Sequence, residues 1–108
     1  MKTTHQETFK IATKEELLAK IVPVLAYYPV RKAALFGSYA RDEHNANSDL
    51  DIFLEFSEPM GLRYGSLYLD LKEAVPVTIG LITKAGLEEQ PEYFKESVMR
   101  DLEVFYEK

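Results

Sequence analysis

Residues 49–56 read DLDIFLEF, and this run constrains the fold most. Asp49, Asp51, Phe53 and Glu55 fall on one side of it, and Leu50, Ile52, Leu54 and Phe56 on the other. A period of two is the mark of a β-strand. One side is wholly apolar, so the strand must lie over a core, and the chain has to build a layered domain around it. The other side begins with Asp49 and Asp51, about 6.8 Å apart along one face.

The neighbouring segments supply the layers. Thr13 and Glu16 are spaced as a capping box, and Leu17, Leu18, Ile21, Val24 and Leu25 follow at helical spacing. The spacing predicts a helix over 14–27, with Pro23 kinking it or ending it early. Residues 30–36 read as a strand that becomes buried towards its end, broken by Gly37-Ser38. Residues 39–42 are expected to form one helical turn, and the polar stretch 43–48 a loop. A helix is predicted over 62–74, weakened by Gly65, then a strand over 75–82. Thr83 should cap a short helical turn, and Pro91 should open a last helix running to about Phe105. Phe94, Val98, Leu102 and Phe105 would form its apolar stripe. The order is α-β-(turn)-β-α-β-α, an α/β or α+β class domain.

The length of 108 residues fits one domain, with its core at about 14–105 and residues 1–12 as an arm or an extra strand. Composition closes off several functions. There is no Cys, so disulfide scaffolds, thiol nucleophiles and Cys-bound zinc are excluded. His5 and His44 are the only histidines, too few for a zinc site built on His. No apolar run approaches the ~20 residues that span a bilayer, and the N-terminus lacks a signal-peptide core. The expectation is a soluble cytoplasmic protein without a membrane partner. A net charge of −5 also argues against strong nucleic-acid binding.

Function is concentrated in Gly37, Ser38, Arg41, Asp49 and Asp51. Carboxylates at i and i+2 of a strand can converge on one hard divalent cation, Mg²⁺ or Mn²⁺, which is commonly held by one or two carboxylates and substrate phosphates. A Gly-Ser break at a strand end exposes backbone N–H groups that suit phosphate oxygens, and the Ser38 hydroxyl adds a donor. Arg41, one turn on, can reach the same phosphates. Together these residues describe a triphosphate site. Taken singly, Gly37-Ser38 is equally an ordinary turn, and the two aspartates an acidic edge that discourages aggregation. His44 reads as a solvated loop residue.

FGSYAR (36–41), a short polar gap and SDLDIFLEF (48–56) resemble the signature of the DNA polymerase beta nucleotidyltransferase superfamily, most closely its minimal nucleotidyltransferase (MNT) members. The resemblance covers about residues 14–105. It implies a palm fold: a mixed sheet of three or four strands with helices mainly on one face. It implies that Gly37 and Ser38 grip phosphate, that Asp49 and Asp51 bind metal and are catalytic, and that Arg41 is the motif's basic position. The implied chemistry is nucleotidyl transfer from an NTP, here ATP, with two Mg²⁺ ions and release of pyrophosphate. The implied partner is a HEPN-type toxin for which the MNT protein is the antitoxin; self-association is a further possibility.

One departure stands out. The family adds a third carboxylate from a later strand, and by its apolar flanks that position falls on Gly80. Glu55, Asp70 and Glu73 are the acids that could substitute, each from an unfavourable position. The alternative function is therefore a catalytically impaired nucleotide-binding module that neutralises its partner by binding alone.

Overall fold

The computed structural model describes residues 13–108; the expected arm or extra strand at residues 1–12 lies outside them. Helix α1 (Lys14–Leu25) starts at the capping box: Thr13 Oγ1 accepts from the Glu16 N–H at 3.1 Å, and Glu16 Oε1 accepts from the Thr13 N–H at 2.9 Å. Leu17, Ile21 and Leu25 recur every four residues and are fully buried. The helix stops two residues after Pro23, short of residue 27.

Strand β1 (Val30–Phe36) and strand β2 (Leu50–Phe56) pair antiparallel. Helix α2 (Arg63–Ala74) carries the chain across to strand β3 (Ile79–Thr83), which lies parallel to β2. Helix α3 (Lys84–Glu88) is capped by Thr83, whose hydroxyl accepts from the Gly86 N–H at 2.9 Å. Helix α4 (Glu92–Asp101) leads into strand β4 (Glu103–Glu107), antiparallel to the other side of β1. The sheet is mixed, in the order β3-β2-β1-β4.

The alternation in β2 is realised as two cores. Leu50, Ile52 and Leu54 join Ala33 and Leu35 under α1 and α2, with Leu67 and Leu71 of α2 closing the larger core. Phe53 and Ala34 face the opposite way and are covered by Leu87 of α3 and Val98 of α4. The two longer helices thus occupy one face and the two shorter ones part of the other.

Further boundaries differ from the sequence expectation. Asp49 precedes β2 rather than opening it, because pairing with β3 starts at Leu50. The strand expected over 75–82 begins at Ile79, since Val75 caps α2 and packs into the larger core, and Pro76 has no N–H to give a ladder. The last helix ends at Asp101 instead of about Phe105. Leu102 turns the chain into extended backbone, and the β-prone Val104-Phe105-Tyr106 run pairs with β1. Phe105 reaches the larger core from β4, while Phe94 and Leu102 pack on the smaller one.

Candidate functional site

The site lies at the end of β1 where the chain leaves the sheet. Gly37 has φ +77°, a left-handed conformation that strains any residue with a Cβ. It turns the chain into a tight bend: Arg41 N–H donates to Gly37 O at 3.2 Å and Glu43 N–H to Ser38 O at 2.9 Å. Tyr39 anchors this bend from beneath, only 1% exposed. The His44 ring stacks on Tyr39 with centroids 4.0 Å apart and planes at 11°. His44 is therefore half-buried rather than a solvated loop residue, and its Nδ1 is enclosed without a hydrogen-bond partner among the described residues. The loop closes on itself, with Asn45 N–H donating to Ser48 Oγ at 2.9 Å and Asn47 N–H to Asn45 Oδ1 at 2.7 Å. It delivers Asp49, exposed, to the head of β2.

Asp51 is paired across the sheet with Phe36 on β1 and with Gly80 on β3. A Cβ built on Gly37 would lie 2.5 Å from Asp51 Oδ2, and one built on Gly80 would lie 2.6 Å from Asp51 Oδ1. One carboxylate thus fills a niche whose two walls are glycine backbone. Burial pushes the Asp51 carboxyl above the usual carboxylate range; the charge of Asp49 pushes the same way, and the charge of Arg41 opposes both. Asp49, Asp51 and Arg41 therefore share one electrostatic neighbourhood beside the Gly37-Ser38 bend, as the sequence spacing predicts.

Arg41 is engaged by carboxylates rather than left open. Its Nε donates to Glu43 Oε1 at 3.0 Å and its Nη1 to Asp101 Oδ2 at 2.6 Å. Asp101, the last residue of α4, gave no signal in the sequence, where it reads as one more polar position of a helix.

The position expected for a third acid is occupied by Gly80, directly beside Asp51 in the β2–β3 register. None of the three candidate substitutes is at the site. Glu55 accepts from Arg31 Nη2 at 2.6 Å and Nε at 3.1 Å, with Lys84 Nζ at 3.7 Å. Asp70 accepts from the Tyr28 hydroxyl at 2.6 Å, and Glu73 lines a cleft with Pro23, Val24 and Tyr27 between α1 and α2. Among the described residues no three His, Asp or Glu side chains gather as a metal cluster. What remains is a two-carboxylate set, Asp51 half-buried and Asp49 exposed. That set fits a hard divalent cation completed by phosphate oxygens.

Residues 15–104 match the nucleotidyltransferase domain family. A candidate protein adenylyltransferase of Methanocaldococcus jannaschii is 36% identical over 90 residues, covering 82% of this chain and 90% of that protein. Among solved structures, a candidate minimal nucleotidyltransferase superposes with TM-score 0.67 at 27% identity, over 85% of this chain and 95% of the other. A toxin–antitoxin structure with AMP-PNP superposes with TM-score 0.64 at 21% identity, over 83% of this chain and 73% of that one, a likeness of fold. The family match spans the bend, both aspartates and the first three strands of the sheet, and the chain belongs to the nucleotidyltransferase domain family.

Proposed function

We propose that this chain binds a divalent cation–nucleoside triphosphate complex at the Gly37-Ser38 bend, with ATP as the nucleotide, and transfers an AMP group to a protein partner as the antitoxin of a cytoplasmic HEPN/MNT pair. The observation that carries the reading is the placement of Asp49 and Asp51 beside that bend at one end of the sheet. The name of the M. jannaschii relative supports adenylyl transfer, and the AMP-PNP toxin–antitoxin neighbour supports both nucleotide and partner.

The residues divide the work. Backbone N–H groups of the bend and the Ser38 hydroxyl receive phosphate oxygens. Asp49 and Asp51 would hold Mg²⁺ or Mn²⁺. The bound cation supplies charge neutralisation on the phosphates and on the leaving pyrophosphate. In the transfer, an acceptor hydroxyl oxygen bonds the α-phosphorus, the α–β anhydride bond breaks, pyrophosphate leaves, and the hydroxyl proton must pass to a base. With Gly80 beside Asp51, no third carboxylate among the described residues is placed to take that proton.

Gly80 favours a second reading, in which the chain neutralises its partner by binding alone. Loss of a general base costs about 10²- to 10⁴-fold in rate, whereas phosphate binding does not need one. Calorimetric titration with ATP and Mg²⁺, run beside a transfer assay with α-labelled ATP and a HEPN-type partner, separates the cases. Label transfer abolished by Asp51→Asn supports the first reading. Binding without transfer supports the second. Absence of binding overturns both.

A further inference from the structure

The Arg41–Asp101 contact joins an anchored acid to an accessible base. The Asp101 side chain is 10% exposed, and that of Arg41 45% exposed. A second set of contacts ties the same two segments together. Lys14 Nζ lies 2.9 Å from both Asp42 Oδ1 and Glu103 Oε1, and Lys14 itself is buried. The junction between α4 and β4 is therefore fastened to the bend through Lys14 whether or not Arg41 stays on Asp101. Asp42, at φ +59°, closes the bend between the two contacts. The arrangement is a fixed frame with one exchangeable guanidinium.

A polyphosphate drawn to the bend meets that guanidinium with two of its donors already given to Glu43 and Asp101. We propose that Asp101 is an intrachain competitor for Arg41 that sets the affinity of the bend for polyphosphate anions. The proposal rests on the phosphate-binding reading of Gly37-Ser38. Removing the Asp101 charge frees the guanidinium, and the freed donors favour an incoming anion. Glu43 acts in the same direction more weakly, because its side chain is 65% exposed and screened.

The test is calorimetric titration of the full chain with inorganic tripolyphosphate and Mg²⁺. Asp101→Asn is expected to tighten binding about fivefold or more, and Glu43→Gln about twofold. In an Arg41→Gln background, Asp101→Asn is expected to change nothing further. Asp101→Ser, with a thermal melt of each variant, guards against a folding defect at the end of α4. The proposal is overturned if Asp101→Asn and Asp101→Ser bind no more tightly than the parent. It is equally overturned if their gain persists without Arg41, which would make it general charge relief. Failure of every variant, parent included, to bind tripolyphosphate overturns the phosphate reading itself.

Discussion

Strand β2 carries two acids on one face, Asp51 near its start and Glu55 near its end, about 13 Å apart, and the fold treats them in opposite ways. Glu55 sits in a cationic setting. Arg31 bonds it twice, Lys84 lies 3.7 Å away, and the Arg31 hydrogen bond is the main cause that holds its carboxyl below the usual range. Asp51 sits between two glycine backbones, and burial raises its carboxyl instead. Strand pattern alone makes these positions equivalent. The neighbours make Glu55 a structural acid and leave Asp51 an acid whose charge is offset, among the described residues, by Arg41 without a direct ion pair. A carboxylate held under-compensated at one end of a sheet is costly to the fold, and a cation–phosphate ligand is what would relieve it.

The largest expected effect separates the two ends by ligand. Asp51→Asn should weaken binding of ATP with Mg²⁺ by about 100-fold, the range typical of losing a metal-site group. Glu55→Gln should leave it within about twofold, measured by the same titration. Equal losses for both would erase the distinction between the ends.

Next comes the niche itself. Gly37→Ala places a Cβ in a left-handed backbone and against Asp51 Oδ2. It should cost about 1–3 kcal/mol, lowering Tm by several degrees or more in a domain of this size. A Tm unchanged within a degree would mean that the bend relaxes freely.

The smallest effects are stability changes of opposite sign. Asp51→Asn removes an ionised form that the folded state disfavours, so it should raise Tm by about 1–4 °C at pH 7. Because the folded carboxyl is raised, the penalty is complete above its folded value, and the gain should shrink as pH falls through that value. Glu55→Gln should lower Tm slightly. Because the Glu55 carboxyl is depressed, its contribution is present above the ordinary glutamate range and is lost as pH falls through the lowered folded value. Thermal melts from pH 7 to pH 3 read both trends. Parallel behaviour of the two variants would contradict the contrast.

Much of this was legible in the sequence. The alternation of 49–56 gave both the strand and the separation of acids from core. The apolar flanks of Gly80 placed it at the third-acid position, and the register puts it beside Asp51. Thr13 and Glu16 marked the start of α1. Strand β4 was hidden because Leu102 and Phe105 continue the helical spacing of Phe94 and Val98. Only pairing with β1, a contact between distant segments, decides the conformation there. The partners of Arg41 were hidden for the same reason: Asp101 is 60 residues away in sequence. The Tyr39–His44 stack depends on how the polar loop folds back over the bend, and no local pattern encodes that.

The central claim is that Asp49, Asp51 and the Gly37-Ser38 bend form a cation–triphosphate site. Phosphorus NMR of ATP with Mg²⁺, titrated with protein, tests it most directly. The account predicts that the parent chain broadens or shifts the β- and γ-phosphate resonances and that the Asp49→Asn/Asp51→Asn double variant, still folded, leaves them as in free Mg-ATP. Resonances unperturbed by the parent chain, or perturbed equally by the double variant, would contradict it.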